Sequence, residues 1–324
     1  STDELMIRHG VQFSYKNQRY SLTRALAYHY LLADGTPFQS QEGWQTMQYA
    51  REFENRDPRM AQTIAGPGYV AVGDDSGVLY APNCKDFDRS GYRPIKYFSD
   101  ETHDGASSST TDYALFRYGE VLLNYAEAMA ELGLADQSVI DASINLIRSR
   151  AGMPALDVAK ANGAPDAFLS SYYTDSHLDG ADKGLILEIR RERTVELVNE
   201  GQRLWDMLRW HEGRQLCPAS NTLGHGFIGV WFPGLGEYDM NNDGTPDLCI
   251  YSGTLPATDC ENTLNVAPGK DNTLSEGTKG YLVQFGEETY QWEEKDYLYP
   301  IPQGQIQIYP EQEGHSVLAQ NPGY

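Results

Sequence analysis

Cysteine is scarce in this sequence: there are 4 in 324 residues, and none is spaced as in a CxxC motif. This excludes a disulfide-dense scaffold and a cysteine-rich zinc site. In an oxidising compartment Cys249 and Cys260 are able to close a short loop through a disulfide. The alternative is isolated buried thiols, and the sequence leaves both open.

The sequence also lacks any apolar run near the roughly 20 residues that cross a bilayer. Its first residues, Ser-Thr-Asp-Glu, have neither the basic segment nor the apolar segment of an export signal. We therefore expect any such signal to have been removed or to lie outside this sequence.

Basic residues are few, with 25 Lys and Arg against 46 Asp and Glu and a formal charge of -21. A protein that binds phosphates places Lys and Arg against them, so this balance argues against nucleic acid as a partner. It argues equally against contact with an anionic membrane surface.

Catalytic motifs are missing as well. There is no nucleophile elbow, P-loop or dinucleotide fingerprint, and His211-Glu212 lacks the second His of a zinc-protease motif. We predict a protein that is not an enzyme. The alternative is a glycoside hydrolase, whose two carboxylates need only meet in space.

Aromatic residues, in contrast, are plentiful, with 22 Tyr, 5 Trp and 10 Phe. Tyr and Trp offer flat faces with a polar group, which suits stacking against sugar rings as well as ordinary packing. The aromatic candidates for ligand contact lie in two loop-rich stretches: Trp44, Trp231, Phe232, Tyr238 and Tyr251.

The sequence predicts one mainly α region with long irregular loops and a few short strands. Residues 1–111 are loop-rich, 112–212 are helical, and 213–324 are loop-rich with an insertion at 213–280 and a strand-like piece at 280–285. Apolar periodicity predicts helices over 113–132, 137–149 and 183–199. The first two, joined by a short turn, form a hairpin like that of a tetratricopeptide repeat, a unit that needs neighbours on either side.

In the first helix the predicted apolar face contains Leu115, Phe116, Val121, Leu122, Tyr125, Met129 and Leu132, with Gly133 ending the helix. In the third, opposite charges three and four residues apart predict pairing along the helix, from Arg190 to Glu196. Trp205 and Trp210 are predicted to be core residues.

Asp34-Gly35-Thr36-Pro37 has the pattern of an Asp-Gly-x-Pro turn, and 116–128 (FRYGEVLLNYAEA) is a distinctive helical segment. Further motif stretches are 55–60, 145–152, 189–193, 200–210, 299–302 and 320–324. Together, in this order, they resemble the SusD/RagB family of outer-membrane nutrient-binding lipoproteins, and 116–128 is similar to the most recognisable helix of that family.

This resemblance implies a SusD-like fold with tetratricopeptide-like helical hairpins. It also implies lipid anchoring on the outer face of a Gram-negative outer membrane, with an oligosaccharide ligand and a SusC-like TonB-dependent transporter as partner. Family members usually begin with a lipidated Cys and several more helices, so we expect this chain to be the carboxyl-terminal part, without the anchor. A peptide-binding member of the family and a helical-repeat scaffold without a small ligand are the alternatives.

The sharpest local motif is DMNNDGTPD at 239–247, in which oxygen-bearing residues alternate before a Gly. This spacing is typical of a calcium loop of the EF-hand type, with ligands from Asp239, Asn241, Asp243, Thr245 (carbonyl) and Asp247. Ile250 stands where an EF-hand has its bidentate Glu, so we expect a calcium-stabilised surface loop and not an EF-hand. A metal-free turn is the alternative, because Asn, Asp and Gly favour turns.

Overall fold

The computed structural model describes residues 21–85, 88–98, 114–174, 178, 180–217, 227–267, 271–284, 291–308 and 318–324. Among these residues the fold is mainly helical with a few short strands, as the sequence predicts. The helices are α1 Arg24–His29, α2 Tyr49–Glu52, α3 Pro58–Thr63, α4 Tyr118–Glu131, α5 Gln137–Asp141, α6 Ile144–Arg150, α7 Val158–Gly163, α8 Ala167–Tyr172, α9 Lys183–Glu196, α10 Arg203–Arg209 and α11 Gln303–Ile308.

Aspartate side chains begin several of these helices. Asp57, Asp136, Asp157 and Asp166 each accept a hydrogen bond from a backbone N–H in the first turn. Such a cap satisfies one of the donors that a helix leaves unpaired at its start.

The predicted helical hairpin differs from the observed one in its second arm. The segment predicted at 137–149 is divided into α5 and α6 by Ser143, whose Oγ donates to the Val139 carbonyl at 2.6 Å. Ser143 has non-helical backbone angles there, because its hydroxyl competes with the helical bonding pattern. Gly133, with a φ of 67°, ends α4 as predicted, while Tyr113 lies outside the described residues.

The apolar face predicted for the first helix is largely wrong. Five of its residues are more than two-fifths exposed: Leu115, Phe116, Val121, Tyr125 and Leu132. Leu122 is buried as predicted, and the rest of the buried face of α4 contains Leu123, Ala126 and Ala130; this face packs on α9. The two alanines let the helices approach closely, and a count of large apolar residues does not detect that effect.

Helix α9 lies at the centre of a buried ion-pair network. The Glu192 carboxylate accepts from Arg59 at 3.0 Å and from Arg148 at 2.6 Å, and Glu196 pairs with Arg59 and Arg150. The predicted pairing along the helix is therefore wrong for these two glutamates. They join α9 to α3 and α6, because their side chains face neighbouring helices and not solvent.

Short strands form two small sheets. In the first, β1 (Ile228–Phe232), β6 (Gly280–Gln284) and β5 (Asn272–Leu274) pair antiparallel in that order. In the second, β3 (Leu248–Tyr251) lies between β2 (Gly236–Tyr238), antiparallel, and β4 (Asn262–Asn265), parallel. The strand predicted at 280–285 is thus present, and Phe285 lies outside the described residues.

The core consists of two clusters of buried side chains: one joins α1 to α4 through α10, and the other joins the sheets to α1, α2, α3 and α9. Trp210 belongs to the first cluster as predicted, whereas Trp205 is 54% exposed and not a core residue. Within the described residues no helix combines the length and apolar character needed to cross a membrane. All four cysteines are free thiols in the structure, three of them buried.

Candidate ligand-binding site

Two aromatic side chains lie side by side on the first sheet. Trp231 in β1 is the direct partner of Tyr281 in antiparallel β6, so both side chains project from the same face. Their strand neighbours Phe232 and Leu282 point the other way and are buried at 2% and 0% exposure. Trp231 and Tyr281 remain partly exposed, which leaves ring surface available to a ligand.

A third aromatic residue comes from the loop before α2. The short 3-10 helix Trp44–Thr46 lies against β1, and the Tyr281 hydroxyl donates to the Gln45 carbonyl at 2.7 Å. The Trp44 ring stands edge-on to Tyr28, with ring centroids 5.1 Å apart. Trp44, Trp231 and Tyr281 are called the aromatic patch below.

The patch rests on a buried charged group. The Arg24 guanidinium, 0% exposed, lies 5.0 Å from the ring centroids of both Tyr281 and Tyr28 and forms an ion pair with Glu52. Burial raises the pKa of Glu52, and Arg24 opposes that effect. Cation–π contact and ion pairing hold the rings in place, so a ligand loses little by ordering them.

Two other predicted ligand residues are placed differently. Phe232 is buried in the second core cluster, which corrects its placement among the stacking residues: its position in β1 faces the core and not solvent. Tyr238 packs on Phe232 with ring centroids 5.0 Å apart, and its hydroxyl donates to the Gly234 carbonyl at 2.7 Å. Tyr238 is partly exposed, and its role in ligand binding stays a prediction.

Tyr251 ends β3 in the second sheet and is also partly exposed; its role likewise stays a prediction. The sequence reading missed Tyr281. Successive side chains of a strand point to opposite faces, so Tyr281 faces away from the buried Leu282.

The loop between β2 and β3 is held by its own polar side chains. Asp239 accepts from the backbone N–H groups of Asp243 at 3.1 Å and Gly244 at 2.8 Å, and Asp243 Oδ1 accepts from Thr245 N at 2.8 Å. Gly244 has a φ of 93°, where glycine is favoured. The loop is flanked by strands and not helices, consistent with the expectation that it is not an EF-hand.

Negative charge accumulates at the closing end of this loop. Asp247 accepts from the backbone N–H of Met240 at 2.8 Å and of Asn241 at 3.2 Å. Burial raises the pKa of Asp247, and the nearby carboxylates of Asp243 and Asp239 raise it further. In the described part of the chain no group of three or more His, Cys, Asp or Glu side chains has converged as metal ligands. Calcium binding here stays a prediction.

Comparison with known proteins gives the family. The SusD family model matches residues 10–324. No curated protein matches the chain. Among solved structures, a SusD-like carbohydrate-binding protein of Bacteroides fragilis is 23% identical with a TM-score of 0.56, and the match covers 88% of this chain and 47% of that one.

A second SusD-like protein of Bacteroides fragilis is also 23% identical, with a TM-score of 0.55, covering 98% of this chain and 51% of the other. The chain therefore spans about half the length of the solved structures that it matches. At such identities the structural likeness establishes a shared fold, while the family match extends over nearly the whole sequence. The resemblance drawn from the sequence motifs is confirmed: the chain belongs to the SusD family.

Proposed function

We propose that this protein captures oligosaccharides without cleaving them and delivers them to a SusC-like TonB-dependent transporter. The observation that carries the proposal is the aromatic patch, in which Trp231 and Tyr281 project together from one sheet face beside Trp44. Flat, fixed and partly exposed rings suit the apolar faces of sugars. The solved relative described as a SusD-like carbohydrate-binding protein supports this ligand class.

Family membership also supports a proposal for the cellular setting. We propose that the protein works at the outer surface of a Gram-negative outer membrane, held there by a lipid anchor. The charge of -21 agrees with a ligand that is not anionic and with no contact to nucleic acid.

The deciding experiment is isothermal titration of the protein with a panel of neutral oligosaccharides, followed by chromatography of the recovered ligand. We expect saturable binding to one glycan class and an unchanged oligosaccharide after hours of incubation. Shortened products would identify a glycoside hydrolase instead. If no oligosaccharide of the panel binds and peptides do, the peptide-binding alternative replaces the proposal.

A second candidate function is a helical-repeat scaffold that binds another protein. The outward face of α4 favours it, since Tyr118 is 69%, Val121 56% and Tyr125 44% exposed. Contiguous exposed apolar residues mark surfaces that bind other proteins. We propose that α4 with α5 and α6 forms a tetratricopeptide-like unit whose outward face is completed by a further helix. Binding to a membrane partner that is independent of oligosaccharide would favour this function.

We also propose that the loop at 239–247 binds calcium as a structural ion. Repulsion between Asp239, Asp243 and Asp247 is relieved by a divalent cation, for which carboxylate and carbonyl oxygens are suitable ligands. The carbonyl of Thr245 and the side chain of Asn241 complete the predicted ligand set. Such an ion would stiffen the segment that joins β2 to β3.

Asp243→Asn tests this site because the amide oxygen still accepts from Thr245 N while the charge is lost. We expect the wild-type protein to gain about 2–3 kcal/mol from calcium at 100 times its Kd, and the variant to gain much less. Thermal unfolding in calcium and in EGTA measures this difference. Asp259→Ala, at an exposed position outside the loop, is the matched control. A wild-type protein that unfolds at the same temperature in both buffers would rule the site out.

A further inference from the structure

A cavity of about 210 Å³ lies between the start of α1, the end of α9 and the start of α10. Much of its wall is aliphatic, from Leu22, Leu26, Leu197 and Val198. It does not contain any residue of the aromatic patch. Its charged lining residues decide what it is able to bind.

Most charges at this cavity are already balanced. Arg193 pairs with Asp206 at 2.8 Å and with Glu127 at 3.3 Å. Arg209 pairs with Asp206 at 2.7 Å and with Glu127 at 2.5 Å. Two arginines thus face two carboxylates, and this group of four adds no net charge to the cavity wall.

Arg203 is the exception. Its guanidinium donates to hydroxyl oxygens alone: Thr194 Oγ1 at 3.0 Å, Tyr173 at 3.3 Å and Tyr172 at 3.5 Å. Burial raises the pKa of Tyr172 to about 12, so this hydroxyl is neutral at physiological pH. Among the described residues no carboxylate forms an ion pair with Arg203.

The remaining neighbours of the Arg203 guanidinium are aromatic. It lies 5.8 Å from the Trp210 ring centroid and 5.9 Å from that of Tyr173. Aromatic faces attract cations but do not neutralise them. A guanidinium in an apolar wall favours a ligand that brings a negative charge and fits its planar fork.

We propose that this cavity binds a monocarboxylate with an apolar body, its carboxylate accepting from Arg203 and its body lying against Leu22, Leu26 and Leu197. The size fits, since a cavity of roughly 150 Å³ holds benzene. The shared chemistry has two sources: a free organic acid, or the carboxyl terminus of a peptide with an apolar last residue. This site is additional to the proposed oligosaccharide function and does not depend on it.

The experiment compares acids with their neutral amides. Phenylacetate against phenylacetamide represents the free acid, and glycyl-phenylalanine against its carboxyl-terminal amide represents the peptide terminus. We expect at least one acid to bind about tenfold or more tightly than its amide, because the amide has no charge for Arg203. Isothermal titration measures the Kd, with quenching of Trp210 fluorescence as a second readout.

Variants separate this site from general charge effects. Arg203→Met should abolish the preference for acid over amide, while Arg51→Met removes the same charge from an exposed position and should leave it unchanged. Val198→Phe fills the cavity without altering Arg203 and should weaken both acid and amide binding, which keeps the test decisive if Arg203→Met does not fold.

Binding of phenylacetate alone identifies a free acid as the ligand, and binding of the dipeptide alone identifies a peptide terminus. Equal binding of acid and amide, or no binding of any probe, would overturn the proposal whatever the oligosaccharide titration shows.

Discussion

Replacing Glu192 with Gln is expected to lower the free energy of unfolding by about 3 kcal/mol at neutral pH. Glu192 is 1% exposed and is the shared carboxylate of Arg59 in α3 and Arg148 in α6. The Gln side chain keeps the shape but leaves two buried guanidinium groups with one negative charge fewer. Urea denaturation followed by circular dichroism measures the change.

The control is Glu131→Gln, which removes the same charge from an exposed position at the end of α4. It should alter the free energy of unfolding by no more than about 0.5 kcal/mol. If both variants lose the same small amount, the ion-pair network does not hold α9 against its neighbours.

The dependence on pH gives an independent readout of the same carboxylate. Burial alone would raise its pKa, but Arg59 and Arg148 prevail and lower the pKa of Glu192 to about 2. A carboxylate with a depressed pKa contributes its stability above the pKa of the unfolded chain, near 4.5, and loses it as the pH falls towards 2. The difference between wild type and Glu192→Gln should therefore shrink progressively from about pH 5 down to pH 2.

The same network shows which features of this fold can be predicted from the sequence and which cannot. Helix positions follow local rules, and the caps at Asp57 and Asp136 and the stop at Gly133 are local features. The partners of Glu192 are separated from it by 133 and 44 residues, so spacing along one helix suggested the wrong pairs. The buried face of α4 was missed for a related reason: Ala126 and Ala130 are buried by a neighbouring helix that the local sequence does not reveal.

In the candidate site, too, some residues could be predicted from the sequence, whereas their arrangement could not. Trp44 and Trp231 were found as aromatic residues in loop-rich sequence, but their proximity depends on contact between β1 and a turn almost 190 residues earlier. Phe232 was predicted to contact ligand and Tyr281 was missed, because the register of two strands decides which side chain faces the core. Nothing in the sequence could identify Arg203 as a ligand-binding candidate, because its lack of an ion pair among the described residues is a property of the folded chain.

Replacing Trp231 and Tyr281 together with Ala is expected to weaken oligosaccharide binding by roughly a hundredfold, or about 3 kcal/mol. Both rings are partly exposed on the sheet face opposite Phe232 and Leu282, so their loss should leave the second core cluster intact. Isothermal titration with the oligosaccharide identified from the panel gives the Kd of the variant.

Tyr281→Phe separates stacking from hydrogen bonding, because it keeps the ring over Arg24 and loses the hydroxyl's bonds to the Gln45 carbonyl and to Tyr28. Its affinity should stay within a fewfold of wild type if ring contact dominates. Trp205→Ala is the matched control, since Trp205 is 54% exposed on α10, near Tyr299 and outside the aromatic patch. If Trp205→Ala weakens binding as much as the double variant does, the sugar stacks elsewhere and the patch has only a packing role. If Trp205→Ala binds the oligosaccharide like wild type while the double variant binds it weakly, the ligand-binding surface is the exposed face shared by β1 and β6.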